Sequence, residues 1–149
     1  MTDYSALFTG QSSTPQAPAT HLTPAKYRLL IVDDEVGIVK ALTRVFRQEN
    51  YDVVTAGSGS EGLQRLAEGT FHLVISDFMM PGMNGAQYLH EVKQRSPNTI
   101  RIMLTGHANT DAVMGAINDG AVYKFILKPW NDDDLRVTVA LALEQFDLI

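Results

Sequence analysis

The chain has 149 residues, 45% of them apolar and 19% charged, a formal net charge of −5 and no cysteine. That composition suits one globular domain and excludes a disordered chain. The missing cysteines exclude disulfides, thiolate nucleophiles and Cys-held metals. The acid excess argues against direct nucleic-acid or membrane binding by this domain, and no apolar run approaches the ~18 residues that span a bilayer. Asp3 stands near the N-terminus and no basic segment precedes an apolar core, so no secretory signal is visible and a cytoplasmic location is expected.

Residues 1–26 hold a polar, proline-bearing stretch, Gln11 to Thr20, without periodicity, and read as a flexible leader before a domain over residues 27–147. Leu29-Leu30-Ile31-Val32 reads as a first strand that ends in Asp33-Asp34-Glu35. Ile38, Leu42, Val45 and Phe46 recur at helical spacing, which predicts a first helix running to about Glu49. A second strand is expected over Tyr51 to Thr55, with a turn at Gly57 to Gly59. The second helix carries Leu63, Leu66 and Ala67 and stops at Gly69.

Leu73, Val74 and Ile75 are consecutive and apolar, as in a strand buried on both faces, and the run ends at Ser76-Asp77. Pro81-Gly82 and Asn84-Gly85 read as turn dipeptides ahead of a third helix from about Gly85 to Arg95. The fourth strand is expected over Ile100 to Leu104, followed by Thr105-Gly106. A fourth helix carries Ala112, Val113, Ala116 and Ile117 and ends at Asp119-Gly120. The fifth strand is expected over Tyr123 to Leu127, followed by Lys128-Pro129-Trp130. Asn131 to Asp134 open a fifth helix, where acids suit the positive end of the dipole.

Leu135, Val139, Ala142, Leu143 and Phe146 form one apolar face of that helix, and Val137, Leu141 and Leu148 form a second stripe. The second stripe is ordinary surface, the seat of a partner or the start of a coiled coil. The helical pattern reaches Asp147-Leu148-Ile149 without a stop signal, so an output region beyond residue 149 is expected. Five strand–helix units with short connections predict an α/β fold, a doubly wound parallel sheet with right-handed crossovers and helices on both faces.

In such a sheet the chemistry lies beyond the carboxyl ends of the strands. Asp33, Asp34 and Glu35 stand at the end of the first strand, Asp77 at the third, Thr105 at the fourth and Lys128 at the fifth. Taken singly, the acids could be a helix start, Asp77 or Thr105 a cap, and Lys128 a solvated lysine. Together, crowded carboxylates call for a cation, and an all-oxygen donor set suits Mg²⁺, with Mn²⁺ as a substitute. A carboxylate can attack phosphorus to form an acyl phosphate. A metal, a lysine and a hydroxyl would then spread the charge of the transferring group.

Ile31-Val32-Asp33-Asp34-Glu35, Asp77-Phe78-Met79-Met80-Pro81-Gly82-Met83-Asn84-Gly85, Leu104-Thr105-Gly106 and Lys128-Pro129-Trp130 resemble, in order, the motifs of receiver domains of two-component response regulators. The likeness covers about Arg28 to Phe146. It implies a flavodoxin-like (βα)5 sheet with strand order 2-1-3-4-5 and Asp77 as phosphoacceptor from a phosphohistidine of a sensor histidine kinase or phosphotransfer protein. It implies Mg²⁺ on Asp34 and Asp77, on Asp33 through water and on the Met79 carbonyl. Lys128 would contact the phosphoryl oxygens, with a cis bond to Pro129. Thr105 and Phe125 would act as the switch, altering the surface of the fourth helix, fifth strand and fifth helix for an output domain, a downstream protein or a second copy.

Phe125 replaces the commoner tyrosine or histidine, which implies a looser switch. Met79 and His107 flank the site and are expected to set the phosphate lifetime, although His107 also fits an ordinary loop histidine. The stretch from Val122 to Trp130 is similar to receivers that precede cyclic-dinucleotide phosphodiesterase or transcriptional-activator outputs. Two other readings remain. A haloacid-dehalogenase-like phosphatase also uses an aspartyl nucleophile, but carries it after the first strand and beneath a cap domain. An unphosphorylated pseudo-receiver would have lost an acid or the lysine, and none is lost here.

Overall fold

The computed structural model describes residues 27–106 and 111–147. Ten elements alternate along the chain: β1 Tyr27–Val32, α1 Val36–Val45, β2 Tyr51–Ala56, α2 Gly59–Ala67, β3 Leu73–Asp77, α3 Gly85–Arg95, β4 Ile100–Thr105, α4 Asp111–Asn118, β5 Lys124–Leu127 and α5 Asp132–Asp147. The strands form one parallel sheet in the order β2-β1-β3-β4-β5, the order expected above. The leader, His107 and Leu148 lie outside the described residues.

Two cores follow from the period-two alternation of strand side chains. Leu29 and Ile31 of β1, with Leu73 and Ile75 of β3, pack against Leu42 of α1 and Leu135, Val139 and Leu143 of α5. Leu30, Val32 and Val74 point the other way, into Leu66 of α2, Tyr88 and Leu89 of α3 and Val113 of α4. Every residue of β3 is buried, so its apolar run has no polar face. Each fully buried Leu, Ile or Val contributes about 1.5–3 kcal/mol, which holds the sheet centre firm and fixes where β3 ends.

The termini of the helices show where sequence periodicity misleads. α1 stops at Val45 and not near Glu49. Phe46 kept the apolar spacing, but its N–H turns back to Thr43 O at 3.2 Å, and Arg47 N–H to Arg44 O at 3.3 Å. Its ring is buried because it packs on Tyr51, with centroids 5.9 Å apart, not because the helix continues. Asn84 is not a turn residue: it is the N-cap of α3, in a reciprocal capping box with Gln87. Among the described residues α4 begins at Asp111. β5 begins at Lys124, one residue later than expected.

α4 ends in a Schellman arrangement. Ala121 N–H donates to Ala116 O and Gly120 N–H to Ile117 O, both at 3.0 Å. Gly120 sits at φ +74, where a side chain would be strained. At the opposite end of the sheet from the carboxyl edge, the Tyr27 hydroxyl donates to Asp147 Oδ2 at 2.5 Å and the His72 and Phe146 rings meet at 4.7 Å. These contacts tie the end of α5 to the starts of β1 and β3. No described helix is long and apolar enough to cross a membrane.

Candidate functional site

The carboxyl edge of the sheet gathers the residues singled out above. Asp33 follows β1 and its N–H donates to Ala56 O at 3.1 Å. Asp77 is the last residue of β3, and the ladder continues past it through Phe78 N–H to Leu104 O at 2.9 Å. Oxygen atoms of Asp33, Asp34 and Asp77 all lie within 4.8 Å of one another. Asp33 and Asp77 are buried and Asp34 is exposed. Three acids in that space repel unless a cation joins them.

One cation from the chain is already present. The Lys128 ammonium is ion-paired with Asp77 Oδ1, with the lysine side chain 27% exposed and the aspartate side chain 5%. Lys128 N–H also donates to Thr105 O at 3.0 Å, so the lysine is registered on the strand that delivers the buried Thr105. The Lys128–Pro129 bond is cis. Trp130 Nε1–H donates to Asp132 Oδ1 at 2.9 Å, and Asn131 Oδ1 accepts from Asp134 N–H at 3.0 Å. These bonds set the turn between Lys128 and α5.

Asp33 is under the greatest strain of charge. Its Oδ1 accepts the Glu35 N–H at 2.9 Å, but its Oδ2 is buried without a partner among the described residues. Burial is the main cause that pushes its pKa up to about 6; the negative charges of Asp77 and Asp34 add to this, and the Glu35 N–H and Lys128 oppose it. An orphaned carboxylate oxygen beside two others fits a hard divalent cation with oxygen ligands. Mg²⁺ suits these donors.

Two further features hold the loop after β3. Gly85 N–H donates to Phe78 O at 2.8 Å. A Cβ on Gly85 would stand 2.2 Å from Asp77 O and 2.8 Å from Phe78 Cα, so only glycine lets α3 start this close to the acid. The Asn84–Gln87 spacing is a capping-box signature visible in the sequence; the close approach of Gly85 leaves no such mark. Met79 is 70% exposed beside the acids, whereas Met80 is buried in the core.

Phe125 lies opposite Met103 in the β4–β5 register, two places before the Thr105–Leu127 pair. It is half-buried and lines a groove of about 470 Å³ with Ile117, Tyr123, Lys124 and Leu127. Asp33, Asp34, Asp77, Thr105 and Lys128 thus meet at one edge, Met79 flanks them, and Phe125 stands farther along β5.

A doubly wound five-stranded sheet with this acidic edge is the architecture of a receiver domain, and the chain belongs to that family: residues 29–140 match the response regulator receiver domain. It is 40% identical over 117 residues to the Escherichia coli transcriptional regulatory protein GlrR, covering 78% of this chain and 26% of that protein. It is 34% identical over 116 residues to the hydrogenase transcriptional regulatory protein HoxA of Cupriavidus necator, covering 78% and 24%. The chain therefore spans about a quarter of the length of these curated relatives. Among solved structures, the signal receiver domain of an HD domain-containing protein from Pseudomonas fluorescens Pf-5 superposes with a TM-score of 0.79 at 32% identity, covering 83% of this chain and 98% of that one.

Proposed function

We propose that the domain is a phosphorylation switch in which Asp77 takes a phosphoryl group from a phosphohistidine of a sensor kinase or phosphotransfer protein. The observation that carries this is the juxtaposition of Asp33, Asp34 and Asp77 within 4.8 Å, with Lys128 paired to Asp77. In the step, an Asp77 carboxylate oxygen forms the new O–P bond as the N–P bond of the donor breaks, and the donor nitrogen keeps the bonding pair. Lys128 follows the charge from the carboxylate to the phosphoryl oxygens, and Thr105 offers its hydroxyl to one of them. The exposure of Met79 and Asp34 leaves the edge open to a donor side chain carried on another protein.

Asp34 and Asp77 would hold Mg²⁺ directly, Asp33 through water, with the Met79 carbonyl as a further oxygen; Mn²⁺ fits the same donors. When bound, the ion supplies positive charge against the carboxylates and the phosphoryl oxygens. Met79, with His107 two residues after Thr105 in the sequence, would govern how water reaches the acyl phosphate and hence its lifetime.

The output would be read on α4, β5 and α5. Met114, Tyr123, Leu127, Val137 and Leu141 are large apolar side chains that stay exposed there, between 44% and 59%. Large exposed apolar clusters mark partner surfaces. Phosphorylation would favour one of two packings of Thr105 and Phe125, a population shift in the sense of unequal affinity for two states. An output domain, a downstream protein or a second copy would then bind the altered face. The same reading carries a cytoplasmic location and a receiver domain over residues 27–147 that serves a longer protein.

The test is incubation with acetyl phosphate and Mg²⁺, read by intact mass. The parent should gain one phosphoryl group and Asp77→Asn none. Steady turnover of p-nitrophenyl phosphate would instead favour a phosphatase.

A further inference from the structure

Among the described residues, most cations are already taken up. Arg28, Arg65, Arg95 and Arg136 face carboxylates, and Lys128 faces Asp77. Lys93 and Arg101 are held by main-chain carbonyls. Lys40, Arg44, Arg47 and Lys124 have no such partner among the described residues. Three of these four belong to one row: Lys40 and Arg44 lie on α1 and Arg47 on the tight turn that follows it, at i, i+4 and i+7.

Arg44 and Arg47 also line a groove of about 460 Å³ between the end of α1 and α5, whose other walls are Val45, Gln48 and Arg136. Arg136 donates from Nη1 to Val45 O at 3.4 Å and pairs through Nη2 with Asp133, its own neighbour on α5. Glu49, the nearest acid along the chain, acts on the Tyr51 hydroxyl. Three guanidinium groups therefore share one groove whose described lining holds no carboxylate, and of the three only Arg136 is paired, with Asp133. A lone cation in the last turn of a helix is accounted for by the dipole. That explains Arg44, but not Arg47 beyond the helix, Lys40 a turn earlier or Arg136 on a different element.

We propose that this groove docks an acidic, carboxylate-rich segment of a partner protein. Neighbours at i and i+4 stand ~5–6 Å apart, so the charges form a row and not a point, which suits acids one turn apart on a partner helix better than a single small anion. Arginine forks take carboxylates two bonds at a time. The buried Val45 beneath them and the Gln48 amide beside them offer an apolar floor and a polar wall. A long polyanion such as nucleic acid meets the net charge of −5 of the whole chain. A short segment meets only the local field, because charges beyond about 8 Å are screened at physiological salt.

The groove is at the opposite end of α1 from Asp34 and Glu35, which precede the first turn of that helix. Docking here leaves the carboxyl edge free, and the proposal does not rest on phosphorylation of Asp77.

The experiment uses the full 149-residue chain and a fluorescein-labelled helical peptide of glutamate and alanine with acids at i, i+4 and i+7, followed by anisotropy at low and physiological salt. The parent should bind, and Arg44→Ala/Arg47→Ala should weaken binding by about tenfold, two partly desolvated pairs at ~0.7 kcal/mol each. Lys124→Ala/Arg95→Ala, which removes the same formal charge elsewhere, should leave it unchanged. Three results would overturn the proposal: no binding at low salt, an equal loss in the control variant, or tighter binding of a single-stranded oligonucleotide through the same arginines. Unaltered acetyl-phosphate labelling of the Arg44/Arg47 variant separates this outcome from any failure at Asp77.

Discussion

Lys128 reaches across from the end of β5 to place its ammonium on Asp77 Oδ1 at the end of β3. The two residues are 51 positions apart in the chain and are separated in the sheet by β4. Lys128 is partly exposed, so solvent screening discounts the pair. The aspartate is almost fully buried and depends on it. In metal-free buffer, Lys128→Met should lower unfolding free energy by about 1–3 kcal/mol in urea. The double variant with Asp77→Asn should recover part of that loss, because the buried charge goes with its partner. Additive losses would show that the pair contributes nothing.

Asp33 should behave in the opposite sense. Its Oδ2 is buried without a partner among the described residues while Oδ1 accepts the Glu35 N–H, a bond that an asparagine can keep. Asp33→Asn should therefore raise metal-free stability by about 1–2 kcal/mol, as functional carboxylates often cost stability. The same variant should lose most of the thermal stabilisation that Mg²⁺ gives the parent. Thermal unfolding with and without Mg²⁺ checks both halves, and a destabilised variant that still responds fully to Mg²⁺ would contradict them.

Gly85→Ala forces the added carbon against the Asp77 carbonyl at 2.2 Å. The neighbour is main chain, so the loop after β3 must move. A cost of about 1–3 kcal/mol in urea unfolding is expected, together with weaker Mg²⁺ binding by titration, since the same movement displaces the acid. Unchanged Mg²⁺ affinity in the folded variant would separate the loop from the site.

The Tyr88 hydroxyl lies in the α2–α3 core, buried and without a hydrogen-bond partner among the described residues, and burial raises its pKa well above the usual range for a phenol. Tyr88→Phe keeps the ring and removes the orphaned group. It should be neutral or stabilising by up to about 1 kcal/mol; a clear loss of stability in urea would mean that the hydroxyl has a partner.

The strand order was legible only through the resemblance to receiver domains, whereas the ends of the strands were legible because β3 and β1 are runs of apolar residues stopped by acids, and a parallel sheet brings all such stops to one edge. That placed Asp33, Asp34, Asp77, Thr105 and Lys128 together before any distance was known. Features that depend on three-dimensional approach were not legible. Phe46 imitates a longer helix because its ring is needed by Tyr51. Asn84-Gly85 imitates a turn because capping and turn chemistry use the same residues. The basic groove joins Arg136 to Val45, 91 positions apart, and no local pattern announces it.

The most direct measurement locates the phosphoryl group itself. The chain is treated with acetyl phosphate and Mg²⁺, reduced with borohydride so that an aspartyl phosphate becomes homoserine, and sequenced by peptide mass spectrometry. Homoserine at position 77, absent without Mg²⁺ and absent in Asp77→Asn, is the expected result. Homoserine at Asp33 or Asp34 in the parent, or none at all, would contradict the account.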